Sequence, residues 1–312
     1  MTVECIEGPI VSSSDLEAHI ALFCGVFHQE VAARQTLDVG TTERVFGVHG
    51  HAADVVTLRT PGAPFGVRLI QFSPLSSITV RSEAQGRDTN APKVIDFYAK
   101  DFDAGVAHAK SQGFRVRDDI ADYKNDLGTF REAHIWGPDS VVCAVISGPP
   151  GHIDGVVTVR DRLFSEPHSM SGPVDDLDGA VGFLTGGFGL DVVSSYELAD
   201  SSFDAMVGSD QPIRLRAANV GLSRETPYFG VINYGLPRDS TRSLRDIAHF
   251  PNRGLIGATL IVTEIDRTVA ASAKHGGVVK APVADTHLEP YGAVRSAVLT
   301  SPFGATYHLI EL

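Results

Sequence analysis

Ser301-Pro302-Phe303-Gly304-Ala305-Thr306-Tyr307-His308-Leu309-Ile310-Glu311-Leu312 joins a turn to a run of β-forming residues that carries one acid. Pro302 and Gly304 set the turn, and the Thr, Tyr and Ile content that follows predicts a strand. An ionised carboxylate on a half-buried strand is costly unless something pairs with it. Glu311 therefore meets a cation or metal inside, or points to solvent. Strand alternation puts Tyr307 and Leu309 on the face of Glu311 and His308 on the other.

The same ending occurs earlier in the chain. Gly292, Arg295, Ala297 and Pro302 repeat the pattern Gly128, Arg131, Ala133 and Pro138, and Phe229-Gly230-Val231 repeats Phe65-Gly66-Val67. The acids that open helices, Asp15 and Asp176, Asp101 and Glu264, fall into the same frame. All offsets lie between 161 and 164 residues. Each half is thus one copy of a longer unit, and each half contains the β-α-β-β-β order twice.

The helices announce themselves by apolar spacing. Leu16, Ile20, Phe23 and Phe27 follow at 4-3-4 intervals, and Leu177, Val181, Leu184 and Phe188 do the same. Ser14 or Asp15 caps the first. Strands are expected at Cys5–Val11, Glu30–Leu37, Arg44–Val48 or Val55–Arg59, and Phe65–Phe72 in the first module. In the third they are expected at His168–Val174, Asp191–Leu198, Phe203–Val207 or Ile213–Ala218, and Tyr228–Tyr234. Gly148-Pro149-Pro150-Gly151 breaks the chain, and Val156–Arg162 is a candidate extra strand across the join. The expected domains are residues 1–150 and 151–312. Polar linkers at Ser73–Pro92 and Pro237–Arg253 either cover the modules or mediate a homodimer.

The 312 residues are 43% hydrophobic and 21% charged, with a net charge of −12. That is a globular composition, and its sign argues against a nucleic-acid groove or an anionic membrane surface as partner. Cys5, Cys24 and Cys143 are odd in number and far apart, which fits a reducing, cytoplasmic setting rather than a disulfide framework. No charged n-region with an apolar run opens the chain, and no apolar run spans a membrane. There is no phosphate-cradling loop and no nucleophile elbow.

Four such modules in tandem resemble the vicinal oxygen chelate superfamily, which includes glyoxalase I, extradiol dioxygenases and bleomycin-binding proteins. Helix openings such as Asp176-Leu177-Asp178-Gly179-Ala180-Val181 and the endings Gly137-Pro138-Asp139-Ser140 and Ser301-Pro302-Phe303-Gly304 carry the resemblance over essentially the whole chain. It implies an α+β fold in which paired modules curl into two cup-shaped half-barrels. It also implies a metal held by residues of first and last strands. In this sequence those positions are Glu7, Lys93, His168 and Ile256 on first strands, and Gln71, Ser147, Asn233 and Glu311 on last strands.

The first cup, with a lysine and no histidine, is expected to be structural. In the second, the resemblance implies His168, Glu311 and the Asn233 oxygen as ligands to Fe²⁺, Mn²⁺ or Zn²⁺, with Ile256 standing where a second histidine would be. His249 or His287 completes the set, or the cup works without metal. His168, His287 and Tyr291 are the catalytic candidates. Tyr228, Tyr291 and Tyr307 are candidates to line a pocket for an aromatic ligand. Arg295 and Arg131, kept in both halves, read as structural ion pairs. The expected function is metal-assisted, extradiol-dioxygenase-like chemistry on an aromatic or vicinal-oxygen small molecule. The alternatives are a glyoxalase-like lyase, an isomerase or a hydrolase using His168 and Glu311 as acid and base, and a non-enzymatic small-molecule binder.

Overall fold

The computed structural model describes residues 2–125 and 128–312. The first module comprises β1 (Val3–Ser12), α1 (Leu16–Ile20, running into a π turn over Ala21–Val26), β2 (Glu30–Leu37), α2 (Val39–Phe46), β3 (Ala52–Arg59) and β4 (Arg68–Ser73). The second has β5 (Val94–Tyr98), α3 (Phe102–Ser111), β6 (Arg115–Val116), β7 (Ala121–Asn125), β8 (Gly128–Trp136) and β9 (Val142–Ser147). The third has β10 (Ser169–Pro173), α4 (Leu177–Phe188), β11 (Asp191–Leu198), α5 (Ser201–Val207), β12 (Leu215–Gly221) and β13 (Tyr228–Asn233). The fourth has β14 (Gly254–Val262), α6 (Ile265–Lys274), β15 (Val278–Leu288), β16 (Gly292–Thr300) and β17 (Thr306–Glu311).

The α+β fold of four βαβββ modules is as expected, but the pairing of the modules is not. One sheet runs β15-β16-β17-β14-β1-β4-β3-β2 and joins the fourth module to the first. The other runs β11-β12-β13-β10-β5-β9-β8-β6 and joins the third to the second. The seams are antiparallel, β1 against β14 and β5 against β10. Residues 1–150 and 151–312 are therefore not the sheet units. The repeat fixes the modules but is silent on which edges pair, because every module offers a first strand of the same kind. Two ambiguous segments are also resolved: Arg44–Val48 lies mostly in α2 and Phe203–Val207 in α5, while the strands are β3 and β12. Val156–Arg162 forms no strand.

Three helices begin as the sequence proposes. Asp15, Asp101 and Asp176 each accept a hydrogen bond from the amide three residues on, at 2.9–3.0 Å. Glu264 makes no such cap. Its place is taken from another strand: Glu311 accepts from the Ile265 amide at 3.0 Å.

The two linkers bind each other rather than hanging free. Thr79 bridges Arg253, and Thr89 bridges Ser243. Leu244, Ala248 and Phe250 from the second linker fill the cup of the first and fourth modules. There the rings of Phe46, Phe72 and Phe250 lie with centroids 5.3–5.8 Å apart, beside buried Ile10, Ile70, Ile256 and Ile310. Each buried phenylalanine contributes about 1.5–3 kcal/mol, so this cup is a core. Ile256, at the position of the missing histidine, is part of that filling.

Gly304 explains the last turn. Its φ is +75°, and a Cβ there would sit 2.1 Å from the Asn90 carbonyl oxygen. Only glycine lets the turn close against the first linker.

Candidate active site

The cup of the second and third modules is open. A cleft of about 1140 Å³ runs over its inner face. On β5 the alternation is plain: Ile95 and Phe97 enter the core shared with the helices, while Val94, Asp96 and Tyr98 line the cleft. Asp96 sits at the seam. Its register partners are Ala144 on β9 and Ser169 on β10. The Ser171 hydroxyl donates to its Oδ2 at 2.6 Å, and that of Ser169 donates to the same oxygen. Gly230 is opposite Ser171, and a Cβ there would lie 2.4 Å from the serine oxygen. The bare glycine leaves room for the Ser171 side chain that donates to the carboxylate.

Burial, and then the nearby Glu132, push Asp96 up to about 7, against the pull of the two serine hydroxyls. Glu132 on β8 accepts from His134 Nε2 at 3.0 Å and from the Tyr123 hydroxyl at 3.4 Å. Burial lowers His134, so it stays largely neutral at neutral pH despite Glu132. Lys93 Nζ donates to the Tyr234 hydroxyl at 3.1 Å. Burial raises Tyr228 to about 12, while Tyr98 and Ser169 favour its phenolate. Tyrosines and phenylalanines make up much of the remaining lining.

The residues singled out from the sequence do not meet. His168 is fully buried just before β10, behind the cleft wall. Its ring lies edge-on to Tyr98 and Tyr228, with centroids 5.5 and 5.0 Å away. Its Nδ1 is 3.4 Å from Glu166, whose carboxylate is held by the Thr158 and Val159 amides. Burial opposes ionisation of Glu166, but these contacts, led by His168, outweigh it and keep its pKa low.

Glu311 is on the other sheet and on the helix side of it. Besides capping α6, it pairs with Arg295 at 2.8 Å, and Arg295 also holds Asp266 at 2.7 Å. Arg131 likewise pairs with Asp103 and Asp122, so both repeated arginines are structural. The Asn233 amide nitrogen donates to the carbonyls of Val174 and Asp175, and its oxygen accepts from the Gly235 amide.

His287 lies within β15, exposed, and pairs with Glu289. His249 is tied to the backbone of Asp246 and Phe250. Tyr291 donates to Glu7 and accepts from Arg68, within the filled cup. Tyr307 is buried on the helix side among Phe183, Phe188 and Phe229. His308, the residue on the opposite strand face, is the one that enters the filled cup, 3.2 Å from Arg68. Of the tyrosines proposed for a pocket, Tyr228 lines the cleft.

His168, Asn233 and Glu311 thus form no ligand set. Among the described residues no group of three or more His, Cys, Asp or Glu side chains is placed to hold a metal ion. Asp96, Glu132 and His134 line one cleft without forming such a group; the direct contacts of Asp96 are serine hydroxyls, and Lys93 is a cation acting on it.

Asp96, the central group, was missed. The signal was present in Lys93-Val94-Ile95-Asp96-Phe97-Tyr98, an acid alone on a strand of apolar and aromatic residues. It is the same pattern that draws attention to Glu311.

No family model and no curated protein matches the chain. Among solved structures, it is similar to glyoxalase I from Zea mays, with a TM-score of 0.64 at 13% identity over 98% of this chain and 92% of that one. It is also similar to a dioxygenase candidate from Bacillus subtilis, with a TM-score of 0.56 at 8% identity over 99% and 85%. At such identities the likeness is one of fold. The chain shares the fold of these two structures over almost its whole length. No helix among the described residues is long and apolar enough to cross a membrane.

Proposed function

We propose that the protein is a small-molecule enzyme that moves a proton in the cup of the second and third modules, with Asp96 as the base. The observation that carries this reading is a buried carboxyl group, raised to about 7 and opening onto a cleft of about 1140 Å³. A base poised near neutral pH combines a useful ionised fraction with real proton affinity. The Ser169 and Ser171 hydroxyls hold the carboxylate in place, and the high phenol pKa values of Tyr98 and Tyr228 keep them as proton donors to a developing oxyanion. Isomerisation or elimination on an aromatic or oxygen-rich molecule suits these groups and this lining. The proton transfer is carried by the chain's own side chains around Asp96.

Proton abstraction can be read without knowing the product. Aromatic hydroxy and keto acids that raise the melting temperature are incubated with the protein in D₂O, and loss of substrate C–H signal is followed by NMR. The wild type is expected to wash out one carbon-bound proton, and Asp96→Asn to bind without exchange. Tight binding by the wild type with no exchange would overturn the catalytic reading in favour of sequestration.

A further inference from the structure

Lys93 stands just before β5, its backbone amide bonded to the Ser171 carbonyl and its side chain lining the same cleft. The residue is 7% exposed. Lysine at such burial normally has a carboxylate partner, yet no carboxylate among the described residues lies within ion-pair distance of it. Its amine instead donates to the Tyr234 hydroxyl and lies 5.5 Å from the centre of that ring. Arg81 and Arg117 act on it with like charge, and Glu132 and Asp96 with opposite charge. The Arg81 guanidinium is itself occupied by the carbonyls of Gln85, Asp88 and Ala91.

A buried amine with a hydroxyl neighbour and an open cleft in front of it is a nucleophile. We propose that Lys93 forms an imine with the carbonyl carbon of an aldehyde or ketone held in the cleft, which makes carbonyl compounds the substrate class. This rests on the reading of the same cleft as the working site. The amine nitrogen bonds to the carbonyl carbon while the carbonyl oxygen takes a proton, giving a carbinolamine. The nitrogen lone pair then expels that hydroxyl, which leaves as water after a second proton transfer from the acid form of Asp96. Hydrolysis reverses both steps, so no oxidant or reductant is consumed. The iminium acidifies the adjacent C–H, which the Asp96 carboxylate then removes. Burial pushes Lys93 down to about 7, with Arg81 adding to it, so a large share of the amine is unprotonated at neutral pH.

The test uses benzaldehyde as probe with sodium cyanoborohydride at neutral pH, followed by peptide mapping by mass spectrometry. One reduced adduct per chain is expected on Lys93, formed at least ~10-fold faster than on exposed lysines outside the cleft such as Lys110. Lys93→Arg, which keeps the charge, should abolish it. Label spread over exposed lysines with Lys93 unmodified would overturn the proposal. The wild-type protein alone decides this, whatever the variant's folding. A Lys93 adduct without the Asp96-dependent proton exchange would uphold imine formation and sink the proton-transfer reading. Exchange without the adduct would do the reverse.

Discussion

Asp96 and Ser169 face each other across the seam between the second and third modules, Cα partners on antiparallel strands, and the serine hydroxyl donates to the carboxylate. The carboxylate proposed as the base is thus held by a residue from the other module. Neither module has the site alone.

Replacing Asp96 with Asn keeps the shape and both serine contacts but removes the base. Proton wash-out should fall by at least ~10²-fold, with ligand affinity changed far less. Exchange rates by NMR and binding by calorimetry, on the same ligand, check both parts.

Stability should dip near neutral pH. Asp96 titrates at about 7 in the native chain against 3.8 for the free group. The native state binds its proton more tightly, so stability from this group falls as pH rises from about 4 to about 7. Lys93 drops from 10.5 to about 7. There the unfolded state binds the proton more tightly, and stability climbs as pH rises from about 7 to about 10. Urea titrations across this range should show the minimum. Asp96→Asn should flatten the acid-side limb and Lys93→Met the alkaline one.

Glu311→Ala should cost about 1–2 kcal/mol, by loss of the acceptor for the Ile265 amide and of the Arg295 pair. The expected change is a lower urea midpoint with ligand binding in the cleft unaltered. A large loss of binding would contradict the structural role given to this residue.

His168→Ala should destabilise by about 2–4 kcal/mol, since it empties a buried site and removes a side-chain partner of Glu166. The loss should be full above the ordinary glutamate range and shrink as pH falls through the depressed native pKa of Glu166. Thermal unfolding of both proteins at about pH 7 and at successive steps below it measures that difference.

Much of this was legible in the residues. Asp15, Asp101 and Asp176 marked three helix starts, two of them before a 4-3-4 stripe, and the repeated glycines and prolines marked the module endings. The face of Glu311 was also legible, with Tyr307 and Leu309. Which side of the sheet that face turns to was not, because both sides of a strand packed between a filled cup and helices are apolar. His308 enters the filled cup and His134 lines the open one, while His168 lies behind the wall, for the same reason. Module pairing escaped because it depends on edges that four similar units share. Asp96 escaped for a different reason: it stands three residues beyond the position that counting from Asp101 assigns, which falls on Lys93.

The pairing of the first module with the fourth also sets the order in which the chain can fold. Cys5 finds its partner at Ile261, and Pro9 at Ala258. Some 250 residues must be gathered before those contacts close, and loop-closure entropy and high contact order make such steps slow. The second and third modules meet over a much shorter span, Ile95 with Met170. During synthesis the open cup can therefore assemble first, while the first module waits with an unpaired β1 edge for β14. A waiting strand edge is a template for the wrong partner, so this protein is most exposed to misassembly in the interval before its last strands emerge.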